Sequence, residues 1–201
     1  MSDLPDLSAL SLGEECTCVI VDLETTGLGK TQNIGITEVG AVKIVFQDTW
    51  NKTDEMQIYV QPKEGCITSN SDAVPHSAAF VASQGAVPFE SLARTKLAQF
   101  CKDADYLLAH NGKRYDFRIL HFHEFAPKFA KACDTILAFK SSWTKQQSYS
   151  IKALYTTAFR CPVPAAHNAV LELDSGEFPD LIGAALGRVK PVLDAHRRTY
   201  G

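Results

Sequence analysis

The sequence predicts an α/β domain: a central mixed sheet of five strands flanked by helices. Three observations lead there. Three β-branched runs, Cys16 to Glu24, Ile36 to Phe46 and Met56 to Val60, follow one another without a helix between them, the pattern of an antiparallel meander. Beyond residue 76 the pattern changes to helices alternating with two short apolar strands, Tyr106 to Ala109 and Lys131 to Leu137. The length of 201 residues fits one domain, and an apolar share of 45% is enough to give it a substantial core.

Taken in order, residues 1–14 carry Asp3, Pro5, Asp6 and Gly13 with weak periodicity and read as a flexible leader, leaving 15–201 as a single domain. Gly27, Gly29 and the polar run Lys30 to Asn33 turn the chain after the first strand. The third strand ends at Pro62 and Gly65, and a short helix is expected after His76. Pro88 opens the next helix at its permitted first-turn position, with Leu92, Leu97 and Phe100 on one face. A helix from about Tyr115 to Phe125 stops before Pro127, Lys140 to Ser148 reads as polar linker, and Ile151 to Phe159 as a helix. Pro162 and Pro164 break the chain before His167, and a bent helix covers about Asp180 to Arg198.

The net charge of −3 excludes a globally basic surface, so any nucleic-acid contact must be local. The six cysteines lack a C-x-x-C pair and read as reduced, mostly buried thiols; a structural zinc site is not expected. There is no secretory signal and no apolar run long enough to span a bilayer. These features predict an intracellular protein of cytoplasm or nucleus, without membrane attachment.

Chemistry concentrates at the end of the first strand, in Val21-Asp22-Leu23-Glu24-Thr25-Thr26-Gly27-Leu28. Side chains alternate along a strand, so Asp22 and Glu24 point the same way. Two adjacent carboxylates repel unless a cation lies between them, and hard oxygen ligands suit Mg²⁺ or Mn²⁺. A strand running into a polar turn would carry the same letters. Asp116 follows a buried strand and the loop His110-Asn111-Gly112, in the first turn of a helix, where a carboxylate can also serve as a cap. His167 lies in Ala165-Ala166-His167-Asn168-Ala169-Val170-Leu171-Glu172.

In order, Asp-x-Glu-Thr-Thr-Gly, Ala-His-Asn-Gly-x-x-Tyr-Asp-Phe and Ala-His-Asn-Ala-x-x-acid resemble the three motifs of the DEDDh, or DnaQ-like, 3′→5′ exonucleases. The wording is most similar to the three-prime repair exonuclease (TREX-like) family. Cys133-Asp134-Thr135 and Ser148-Tyr149-Ser150-Ile151-Lys152-Ala153-Leu154-Tyr155 extend the resemblance over roughly residues 17 to 186. It implies a ribonuclease-H-like fold, two Mg²⁺ or Mn²⁺ ions on Asp22, Glu24 and Asp116, and His167 as general base for the attacking water. It also implies that Thr25, Thr26 and Leu28, with Asn111 and Tyr115, hold the terminal nucleotide.

One position departs from the family pattern. Five residues after the His the family has Asp, and this chain has Glu172, with Asp174 and Asp180 beyond it. Glu172 has the right spacing and one extra methylene; Asp174 is the alternative ligand and Asp180 the third. On a continuous helix Glu172 and Asp174 would not face the same point.

Between Gly112 and Arg160 nine Lys and Arg face three acids, and Lys140 and Lys145 are the better candidates for phosphate contact. The expected activity is removal of nucleotides from DNA 3′ ends, single-stranded or in a frayed duplex. Two alternatives stand beside it: a catalytically weakened nucleic-acid-binding module of the same fold, and a 3′→5′ exoribonuclease. Homodimers that pair through sheet edges are compatible with the long second and third strands.

Overall fold

The computed structural model describes residues 15–27, 33–46, 50–66, 77–126, 131–142 and 148–159. Six strands run Cys16–Thr25 (β1), Ile36–Phe46 (β2), Trp50–Gln61 (β3), Val87–Pro88 (β4), Tyr106–Ala109 (β5) and Lys131–Asp134 (β6). Helices are Ala78–Ser83 (α1), Arg94–Phe100 (α2), Asp116–Phe122 (α3), Thr135–Ser142 (α4) and Ile151–Phe159 (α5), with a π-helical turn, Phe89–Ala93, leading into α2. The strands form one mixed sheet in the order β4-β3-β2-β1-β5-β6. β1, β2 and β3 are the expected antiparallel meander, while β5 pairs parallel to β1 and β6 parallel to β5. The sixth strand, beyond the five expected, is the two-residue β4, which meets only Val60 and Gln61.

β1 is central because its residues are apolar on both faces: Cys18, Val19, Ile20 and Val21 are all buried. One core cluster joins Val19, Val21 and Leu23 of β1 to Val39 and Ala41 of β2, to Leu107 of β5 and to Ile119 and Leu120 of α3. None of the five described cysteines is in a disulfide, and four of them are buried, as expected.

Three elements differ from the sequence-based expectation. β3 starts at Trp50, not Met56, because pairing with β2 extends the polar stretch Asn51 to Glu55 whose own pattern carries no strand signal. In the helix after Pro88, Leu92 is 41% exposed, while Phe89, Ala93 and Leu97 turn inward. The π turn adds a residue to the first turn and rotates the face. The strand expected over Lys131 to Leu137 ends at Asp134, and Lys140, expected in a linker, lies on α4. Asp134 causes that switch: its Oδ1 accepts the Ile136 N–H at 3.0 Å, an N-cap bond that starts the helix.

β2 is paired on both sides, so of the two long strands only β3 offers an edge. Over Trp50 to Tyr59 its outer side carries no partner strand among the described residues. No helix among the described residues is long and apolar enough to cross a membrane.

Candidate active site

The site lies at the carboxyl end of β1, where open α/β sheets place their ligands. The β1–β2 register pairs Glu24 with Glu38 and then slips between Glu24 and Thr25. A bulge at that point re-aims the side chains that follow. Asp22 and Glu24 are both half-buried on one face of the strand. Glu38 faces Glu24 across the pair, fully buried, and its Oε1 accepts a hydrogen bond from Gln57 Nε2 at 2.9 Å. Directly opposed residues of an antiparallel pair share a face, so Glu38 is a third carboxylate beside this end of β1. Sequence reasoning missed it; its signal is a lone acid inside an otherwise apolar strand.

Asp116 opens α3 and is 3% exposed. The N-cap position before it is held by Tyr115, whose side chain makes no cap bond, so Asp116 stands one place inside the cap. Its Oδ1 is buried without a hydrogen-bond donor. Burial pushes the Asp116 carboxyl up to about 7 and the charges of Asp134 and Glu24 add to this, while the N–H groups of Asp116 itself and of Leu23 oppose it. The Leu23 amide lies on β1 between Asp22 and Glu24, so α3 brings Asp116 to the strand-end acids. All three raise the pKa of the Tyr115 hydroxyl, behind the larger effect of its burial.

The loop before α3 is built by Asp134. Its two carboxylate oxygens accept N–H bonds from Asn111 at 3.1 Å and Lys113 at 3.0 Å, besides the Ile136 cap. Asn111 sits at φ +63°, a left-handed conformation that Asn tolerates. A Cβ at Gly112 would lie 2.6 Å from Ala109 Cβ and 2.9 Å from Phe117 Cε2, so the close packing of loop on helix requires glycine.

Of the residues expected to hold the nucleotide, Thr25, Thr26, Asn111 and Tyr115 are described. The Thr25 hydroxyl meets the Tyr115 hydroxyl at 2.5 Å, linking the bulge to the start of α3. Thr26 Oγ1 accepts the Gly35 N–H at 3.0 Å and closes the following turn. Leu28, Lys145, His167, Glu172, Asp174 and Asp180 lie outside the described residues, as does the leader. Among the described residues, no group of three or more His, Cys, Asp or Glu is placed to hold a metal ion. Asp22, Glu24 and Asp116 are an oxygen-only set that does not by itself close around one point. Its chemistry and the bare, buried Asp116 Oδ1 fit a hard divalent cation.

The end of β1 therefore carries an acid pair with a carboxylate of α3 beside it, on a mixed sheet of the ribonuclease-H-like type. A family profile described as Exonuclease matches residues 19–171, and the chain belongs to that exonuclease family. It is similar to three-prime repair exonuclease 1 of Homo sapiens, 27% identical over 229 aligned residues that span 96% of this chain and 71% of the human protein. Two solved structures share the fold. One is a 3′-exonuclease described in 3′-end-specific recognition of a histone mRNA stem-loop, with TM-score 0.66 and 15% identity, over 88% of this chain and 65% of that one. The other is the zinc-bound complex of Escherichia coli exonuclease I with single-stranded DNA, with TM-score 0.63 and 13% identity, over 92% of this chain and 43% of that one. The enzyme class expected from the three motifs, a 3′→5′ exonuclease, agrees with the family and the human relative.

Proposed function

We propose that this chain removes nucleotides one at a time from DNA 3′ ends by metal-dependent hydrolysis. The observation that carries the reading is Asp116: a nearly fully buried carboxylate with one oxygen bare, brought against the Asp22–Glu24 strand end. A bound cation would favour the ionised form of an acid kept in that condition.

Asp22, Glu24 and Asp116 would hold two Mg²⁺ or Mn²⁺ ions, with Glu172 as fourth acid, Asp174 and Asp180 being the alternatives. When bound, the ions supply Lewis-acid activation of water and charge stabilisation of the scissile phosphate and the leaving 3′-oxygen. His167 takes a proton from the attacking water on an imidazole nitrogen, the general-base role. Thr25 and Tyr115, tied by their hydroxyls, shape the end of β1 where the terminal sugar and base would rest, and Thr26, Leu28 and Asn111 would contribute to holding them. A second copy of the chain would meet the first along the outer edge of β3.

End-labelled single-stranded DNA, incubated with Mg²⁺ or Mn²⁺ beside Asp22→Asn, tests this. The expected result is a ladder shortening from the 3′ end with the wild type and none with the variant. A gel shift without product under either metal would favour the binding module of the same fold. Faster cleavage of RNA of the same sequence would favour the exoribonuclease.

A further inference from the structure

Glu38 interrupts β2 where the following side chains Val39, Ala41, Val42 and Ile44 are apolar and buried. It is fully buried itself, and the donor to its Oε1 is a neutral amide, Gln57 Nε2, at 2.9 Å. The same Nε2 gives its second hydrogen to the Tyr59 hydroxyl oxygen at 3.1 Å. On β3 Tyr59 is in register with Glu38 and Gln57 with Gly40, so the three side chains share one face of the sheet. Phe80 of α1 braces Tyr59 edge to face, with ring centres 5.7 Å apart. The Tyr59 hydroxyl pKa is raised by burial and then by the Glu38 charge.

A carboxylate held inside a sheet by a neutral amide costs stability, and an apolar side chain would suit the strand better. What Glu38 faces is Glu24. Their pairing is the last regular one before the register of β1 and β2 slips. Carboxylates directly opposed on one face repel each other. Glu38 is fixed by Gln57 and fully buried, whereas Glu24 is half-buried, so Glu24 is the one that yields. The repulsion disfavours rotamers that fold Glu24 back over β2, and it adds negative potential at the strand end. Asp116, with its bare Oδ1, feels the Glu24 charge at that same end.

We propose that Glu38 is a positioning residue of the metal site: held by Gln57, it sets Glu24 and raises the affinity for a divalent cation without touching the ion. This deepens the metal-dependent reading of Asp22, Glu24 and Asp116 and rests on it. A fixed unit charge several ångströms from a divalent ion, in a setting between protein and water, shifts its affinity by about ten-fold or more.

The test is Mn²⁺ binding to the DNA-free protein, followed by the electron paramagnetic resonance signal of the free ion. Glu38→Gln keeps the shape and can still accept from Gln57, yet should weaken Mn²⁺ binding about ten-fold. Its melting temperature without metal should equal the wild-type value or exceed it, because a buried charge is gone. Glu38→Asp, which returns the charge on a shorter arm, should recover part of the affinity. In cleavage, Glu38→Gln should need about ten-fold more Mn²⁺ for half-maximal rate, with kcat at saturating Mn²⁺ within about two-fold of wild type. Gln57→Leu, at an exposed position, should weaken binding about three-fold and guards against a Glu38 variant that fails to fold. Wild-type affinity in Glu38→Gln would overturn the role of Glu38, and wild-type affinity in Gln57→Leu that of the amide. A loss of kcat that saturating Mn²⁺ does not restore would also overturn it, making Glu38 a ligand or a purely structural residue. The metal reading fails separately, if the wild-type protein itself binds no Mn²⁺.

Discussion

Asp116 and Asp134 are neighbouring buried carboxylates held in opposite ways. Asp134 accepts three backbone N–H bonds and shapes the loop between β5 and α3. Asp116 leaves Oδ1 without a donor and is pushed up to about 7, by burial first and then by the Asp134 and Glu24 charges. One acid is spent on structure, while the other keeps an oxygen bare.

The same substitution should therefore have opposite effects at the two positions. Asp134→Asn removes an acceptor that three amides share and should lower stability by about 2 kcal/mol. Asp116→Asn relieves a buried carboxylate and should leave the metal-free protein as stable or more so, while nuclease activity disappears and Mg²⁺ or Mn²⁺ no longer raises the melting temperature. Thermal unfolding with and without metal, beside a cleavage assay, checks both. Equal destabilisation by the two variants would sink the distinction.

The Thr25–Tyr115 contact couples the β1 bulge to α3. Tyr115→Phe should lower kcat/KM about ten-fold through misplacement of the strand end. A double-mutant cycle of Tyr115→Phe with Thr25→Val should show a coupling energy of about 1 kcal/mol in chemical denaturation. Additive effects would mean that the hydroxyls do not act together.

His110 sets a pH dependence whose sign follows from its shift. Its pKa of about 4 in the fold lies below 6.5 for the free ring, so the unfolded chain binds the proton more readily. Its contribution is full above pH 6.5 and is lost as pH falls through the folded value, with a ceiling of about 3 kcal/mol. His110→Gln, which does not titrate, should flatten the fall in stability between pH 6.5 and 4. Parallel stability curves for the two proteins would contradict this.

Gly112 has no room for a side chain: the nearest atoms to a Cβ there are 2.6 and 2.9 Å away, on Ala109 and Phe117. Gly112→Ala should cost about 1–3 kcal/mol, because the loop must shift or Phe117 must turn. Urea midpoints measure the change. A neutral substitution would show that the loop is looser than its packing distances.

Much of the fold is legible in local pattern. The β-branched runs of β1 and β2 and the helix after His110-Asn111-Gly112 each carry their own signal, and each formed where expected. The misreadings have different causes. Asn51 to Glu55 is strand because β2 supplies partners, a neighbour in space overriding weak local preference. Leu92 is exposed because a π turn shifts the helix, and α4 begins where Asp134 caps it, both local features. The Asp134 cap had a readable signal, an Asp-Thr pair before Ile136 and Leu137.

By itself the sequence determined that Asp22 and Glu24 share a face, because the two-residue period of a strand is a local property. Its motif order also settled the family. Only the tertiary structure decided how the acids are used: that Asp116 is left with a bare oxygen, that Asp134 is consumed by amides, and that Glu38 stands opposite Glu24. Those facts depend on register between strands and on which amides a fold leaves unpaired, and spacing along one chain encodes neither.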